Sequence, residues 1–135
     1  GAQAQRLMAA EKELKRLSAE AAQREGRERF AAAARNERGW AVEVRRTAGA
    51  MGEEHRVRAG GFVEMGTGVW VELFTSPGAV LIAASAATGL NAGAVLKPLL
   101  AAAGGRGGGS AALAQGSVPE AGLDALEAEL RKLLA

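Results

Sequence analysis

The chain of 135 residues has no Cys, no Tyr and one His, and its 17 Lys and Arg against 15 Asp and Glu leave a formal charge of +2 at neutral pH. Disulfide scaffolds and Cys-based zinc sites are excluded, and a Ser-His-Asp or His-rich metal centre would have to be built on His55 alone. No run of about 18 apolar residues is present to span a membrane, and Gly1 to Arg16 is amphipathic where a secretory signal needs an apolar stretch.

Taken in chain order, Gln3 to Arg38 reads as one long helix or two consecutive ones. Leu7, Ala10, Leu14, Leu17 and Ala21 recur at spacings of three and four, which makes a narrow coiled-coil-like stripe. Glu11–Lys15, Glu20–Arg24 and Glu25–Arg29 have the spacing of helix-stabilising ion pairs. A helix this polar needs a partner, and self-pairing into a homodimer through residues 7–34 is the preferred arrangement; packing back on its own domain is the alternative. The Ala run 31–34 is most simply read as close helix packing. From Gly39 the period becomes alternating: Trp40, Val42 and Val44 take one face of a strand, Glu43 and Arg45 the other. Thr47 to Arg58 reads as a weak helix because Gly49 and Gly52 oppose it, and His55 in Glu-Glu-His-Arg reads as a surface residue. Gly61–Met65 and Val69–Phe74 read as strands. Thr75-Ser76-Pro77-Gly78 suits a type II turn leading into a central apolar strand, Ala79–Ser85, paired as a hairpin.

Asn91 can cap a helix toward Ala103, which Pro98 should kink or delay and which Gly104 and Gly105 should end. Ala111–Gly116 is a short strand. Leu123, Leu126, Leu130, Leu133 and Leu134 form the apolar face of a last helix, with Ser117 and Glu120 at capping-box spacing before it. The sum is an α/β (α+β) fold: a long N-terminal helix, then a small mixed sheet packed with helices, divided into a helical arm (1–38) and a globular part (39–135). Phe30, Trp40, Phe62, Trp70 and Phe74 are the only large anchors of a core otherwise built from Ala, Leu and Val. Trp40 and Trp70 could stack on bases, but their place in alternating strands assigns them to the core.

Residues 104–109, five glycines around Arg106, form the most informative stretch. Glycine there trades conformational entropy for sharp bending or close approach. The P-loop pattern G-x-x-x-x-G-K-[S/T] is absent, and the G-x-G-x-x-G register that starts at Gly105 ends on Ser110. Backbone N–H groups of the loop could still form an anion nest with Arg106 aimed at a phosphate; a plain surface turn is the alternative.

Leu90-Asn91-Ala92-Gly93 with Lys97, then the glycine cluster, then Ala114-Gln115-Gly116, resembles the DHH-associated domain found in the C-terminal region of alanyl-tRNA synthetases. The close match covers residues 90–116, and the looser order of elements extends over most of the chain. The resemblance implies a helical part that makes dimer contacts and a globular part that binds the elbow of tRNA and links aminoacylation to editing. The same module follows the catalytic domain in DHH phosphoesterases and single-strand exonucleases, where it helps to hold nucleic acid or a phosphorylated substrate. In the phosphoesterase branch a His usually follows the glycine run; Ser110 stands here, which favours the synthetase branch. Pro98 and the Gly-rich segment 47–60 also depart from the pattern. The family's editing zinc site and DHH metal cluster cannot be assembled from this chain.

These readings predict a cytoplasmic, non-catalytic module that needs no cofactor or metal and binds tRNA or another nucleic acid. Gly1 in place of an initiator Met predicts a processed product or a fragment of a longer chain. The candidate contact residues are Lys97, Gly105, Arg106, Gly107, Gly108, Gly109 and Ser110, joined by Arg45, Arg46, Arg56 and Arg58 if these share a face. Residues 1–60 carry 13 basic against 9 acidic side chains, so the positive charge sits on the N-terminal half. Two alternatives remain: a dimerisation or scaffold domain, and the accessory substrate-binding domain of a DHH-type phosphoesterase.

Overall fold

The computed structural model describes all residues 1–135. Its elements run α1 (Ala2–Ala32), β1 (Ala41–Thr47), α2 (Glu53–Val63), β2 (Gly68–Thr75), β3 (Gly78–Ala84), α3 (Ala92–Ala102), β4 (Arg106–Gly109), β5 (Leu113–Ser117) and α4 (Leu123–Leu134). The strands form one sheet in the order β1-β2-β3-β5-β4. β1 and β2 are parallel and every other pair is antiparallel. The parallel pair requires a crossover, which α2 supplies.

Alternation along the central strands divides the core in two. Val69, Val71 and Leu73 of β2, with Val80 and Ile82 of β3, pack against Leu96 and Leu100 of α3 and Leu123, Leu126 and Leu130 of α4. Trp70 and Phe74, with Leu81 and Ala83, form the opposite core with Phe30 of α1 and Ala59 and Phe62 of α2. Two layers of helices on a mixed sheet make this an α+β fold. Trp40, Val42 and Val44 share the α3/α4 side as their alternation requires, and both tryptophans are core residues.

α1 and α2 touch almost backbone to backbone. A Cβ on Gly26 would collide with the carbonyl of Arg58, and one on Gly61 with the carbonyl of Gln23. That contact explains why residues 61–63 are helical where the sequence reads as a strand. Gly61 is the contact point with α1, and His55, Ala59 and Phe62 recur at helical spacing toward the sheet. α2 therefore starts later and ends later than the weak helix expected over Thr47–Arg58. His55 is buried rather than a surface residue: its Nδ1 accepts the Gly52 N–H at 2.8 Å and its ring packs edge-on against Phe74.

Other boundaries move for local reasons. α1 ends at Ala32, because Ala34 and Arg35 pair back onto the start of β1, and Ala31 and Ala32 stay exposed rather than packing. The three acid-base pairs read along α1 do not form. Arg16 instead takes Glu13 and Glu20, Glu25 turns to Arg58, and Arg29 reaches Glu43 of β1. The β2–β3 hairpin forms as expected, but its two-residue loop is Ser76-Pro77 with a cis bond between them, which puts Pro77 third in the turn and excludes type II. Asn91 caps α3 through its side chain to the Ala94 N–H at 3.0 Å; the helix starts directly after it and runs through Pro98. Ser117 ends β5 rather than capping α4, since residues 120–122 form a short 3-10 turn first. Residues 106–109 are not a loop but the edge strand of the sheet.

Candidate nucleic-acid interface

The glycines of β4 are set largely by the fold. A Cβ on Gly107 would strike Gln115 O and Gly116 Cα, one on Gly109 would strike Leu113 O, and one on Gly105 would strike Ser117 O. The turn after β4 closes onto α3. The Gly93 and Ala92 N–H groups donate to the carbonyls of Ser110 and Ala111 at 2.9 Å, and Gly93 has no side chain to keep Gly109 away. The Ser110 hydroxyl accepts from Leu113 N–H at 3.1 Å and holds the same turn. Asn91, Gly93, the glycine run and the Ala-Gln-Gly strand are thus one contact unit, with the first donors of α3 already occupied.

The open surface lies on the other side of these strands. α1 and α2 cover the sheet over β1, β2 and β3, while Gln115, Ser117 and Arg106 are exposed. The register pairs Arg106 with Ser117, Gly108 with Gln115 and Ser117 with Ala79, so all of these share the α1/α2 side. The result is a bare two-stranded shelf. Its wall is the flank of α2 that carries Arg56, Gly60 and Val63, opposite to the flank that meets α1. Arg56 bridges wall and floor: its guanidinium donates to Gln115 Oε1 at 3.2 Å and to Glu53 at 3.1 Å. At the hairpin end the shelf opens into a cleft of about 450 Å³ lined by Pro77, Gly78, Gly105, Arg106, Ser117 and Glu120. Arg106 makes no ion pair there, even with Glu120.

The remaining basic residues do not join them. Arg45 and Arg58 are drawn to Glu25 of α1, at 3.7 and 3.0 Å, and Arg45 also lies over the Trp70 ring. Arg46 is on the opposite side of the sheet, bonded to Glu127 at 2.8 Å and Asp124 at 2.6 Å of α4. Those bonds, Glu127 first, raise its pKa above the usual guanidinium value. The Arg131 and Arg46 guanidiniums hold the Glu127 carboxyl below the usual carboxylate range. Lys97 is exposed on α3, also away from the shelf. Gln115, quoted in the sequence only within the Ala-Gln-Gly signature, and Gly60 belong to the shelf but were not among the candidate contact residues. The signal for Gln115 was a polar residue within a short strand; Gly60 had none. No cluster of three or more His, Asp or Glu could hold a metal ion, and no helix is long and apolar enough to cross a membrane.

Comparison with known proteins agrees with the layout. The structure is similar to that of the C-Ala domain from Aquifex aeolicus alanyl-tRNA synthetase, with a TM-score of 0.61 and 21% identity over 70% of this chain and 91% of that one. No curated protein sequence matches the chain. The family model of the DHHA1 domain matches residues 63–135, from the end of α2 through α4. With more than half of its length matched, including the unit formed by Asn91, Gly93, the glycine strand and Gln115, the chain belongs to the DHHA1 domain family.

Proposed function

We propose that the chain is a non-catalytic nucleic-acid-binding module, most specifically one that docks the backbone of tRNA as part of an alanyl-tRNA synthetase or a related cytoplasmic protein. The observation that carries this reading is the convergence of Arg56 and the unpaired Arg106 on an uncovered shelf whose other exposed side chains, Gln115 and Ser117, are uncharged. Guanidinium groups on an uncovered floor fit phosphate contacts, which position a nucleic acid without reading its sequence. Phe30, Trp40, Phe62, Trp70 and Phe74 are all buried, so base stacking is not on offer. The accessory role in a phosphoesterase has less support, because the Ser110 hydroxyl is engaged in its own turn.

Electrophoretic mobility shift or anisotropy titration with tRNA tests the reading. Binding at low salt is expected, with Arg106→Ala weakening it several-fold and reducing the salt slope by about 1 while the melting temperature holds. Wild-type protein that binds no tRNA at low salt overturns it.

A second reading, self-association through the arm, is favoured by a separate observation. Ala22, Gly26 and Phe30 bury one side of α1, whereas Leu7, Ala10, Leu14, Leu17 and Ala21 line the opposite side and are exposed. We take this stripe, within residues 7–34, as the surface for a homodimer, and residues 1–38 as the arm that presents it.

A further inference from the structure

Internal packing accounts for most of the glycines around the shelf, but not for two of them. Gly61 is needed against Gln23, and Gly105, Gly107 and Gly109 against β5. At Gly60 and Gly108 nothing lies within 4 Å of where a Cβ would stand, and neither has a positive φ. Gly60 sits inside α2, where glycine is a poor helix former, and Gly108 sits inside a strand, where glycine is a poor strand former. Each adjoins one partner of the Arg56–Gln115 contact. Gly60 follows Arg56 by one helical turn on the same flank, and Gly108 lies directly opposite Gln115, the residue that Arg56 reaches.

We infer that Gly60 and Gly108 are clearance positions: bare backbone in the wall and floor of the shelf, which lets the sugar-phosphate ridge of a double-helical RNA seat between α2 and β4. The inference rests on the nucleic-acid reading and names the form of ligand that the shelf admits. A duplex ridge is convex and polyanionic, and its bases are stacked inside it. It therefore matches an uncovered floor that carries the polar Gln115 and Ser117 beside the bare Gly108, with Arg56 on one side and Arg106 at one end. A single strand held by its bases would need an aromatic platform, and every aromatic side chain is buried. A peptide added as a sixth strand would instead pair with the outer edge of β4. There Gly107 and Gly109 direct their N–H groups away from β5, since Ser110 N–H bonds Leu113 O in the same register. Such a strand would not approach Gly60.

The test compares wild type, Gly60→Ala, Gly60→Leu, Arg106→Ala and, as a control on the far face, Ala94→Leu. A 20-base-pair RNA duplex serves as probe, with melting temperature measured alongside. Gly60→Ala is expected to melt at or above the wild-type temperature and Gly60→Leu to keep it. Gly60→Leu should weaken duplex binding at least tenfold with an unchanged salt slope, because no charge has been removed; Ala94→Leu should bind as wild type. Unaltered binding by Gly60→Leu, beside weakened binding by Arg106→Ala, overturns the clearance role and leaves the shelf reading intact. A lowered melting temperature for Gly60→Leu also overturns it, by assigning Gly60 an internal packing role. Failure of the wild type to bind RNA removes the shelf reading itself.

Discussion

Single glycines in this chain have opposite physical roles, and the space around each decides which. Gly26 and Gly61 let α1 and α2 meet at their backbones, and a methyl group at either would have to displace a carbonyl that cannot move independently of its helix. Gly26→Ala and Gly61→Ala are therefore expected to destabilise the fold by about 1–3 kcal/mol, as overpacked sites do. Gly60→Ala, in open space one residue away, should stabilise it by about 1 kcal/mol through helix propensity. Urea unfolding of the three variants checks the ordering, and a destabilised Gly60→Ala would break it. Glu72 illustrates a second rule. It is fully buried in β2 without a cationic partner, and its two oxygens accept from the Thr47 hydroxyl at 2.6 Å and the Trp70 indole N–H at 3.1 Å. Thr47→Val keeps the shape and removes one donor, so a loss of about 1–3 kcal/mol is expected from the oxygen left unsatisfied.

Between elements, the Arg46 pair ties the sheet edge to α4 and carries a pH signature. The arginines beside Glu127 depress its pKa in the folded state, so its contribution is present above the unfolded carboxylate pKa and is lost as pH falls through the lower folded value. Arg46, pushed upward, stays charged throughout that window. Glu127→Gln should accordingly melt below wild type at pH 7 by an amount equivalent to less than about 1 kcal/mol, since Arg46 is 37% exposed and screened. The gap should close on acidification below about pH 4. A gap that stays constant across that range would assign the effect to packing instead. The elements themselves were legible wherever one residue or one period decides them: the Val69–Phe74 hairpin by alternation, α3 by its Asn91 cap, α4 by its leucines. They were not legible where the deciding contact is distant in sequence. Gly61 reads as the start of a strand until α1 is laid against it, and residues 106–109 have no side-chain pattern to mark a strand until β5 pairs with them. The candidate site divides the same way. The glycine cluster singled out Arg106, but Arg56 was one of four clustered arginines, and only the fold shows Glu25 and α4 taking the others.

For the molecule as a whole, the strongest unbalanced feature is the arm. α1 meets α2 from about Lys15 onward, so its first four turns, about 20 Å at 1.5 Å per residue, extend beyond the start of α2. Leu7, Leu14 and Leu17 are 61%, 65% and 47% exposed on a side of the helix that the rest of the chain never contacts. An unsupported helix of this length is marginal in water, and the Arg16 pairs with Glu13 and Glu20 are too exposed to hold it. A second copy laid along the stripe would bury those leucines on both chains, each with a gain of about 1.5–3 kcal/mol if fully covered. The dimer proposal thus requires an apolar seam whose removal leaves the globular part untouched. A Leu14→Glu/Leu17→Glu variant should run as a monomer in light scattering at concentrations where wild type is dimeric. Its main unfolding transition, measured as a monomer, should retain the cooperativity and denaturant slope of the globular part, because neither leucine belongs to either core. Wild type that stays monomeric at about 100 μM, a concentration at which a sub-micromolar dimer would be almost fully formed, refutes the seam. A variant that stays dimeric locates the self-contact elsewhere on the molecule.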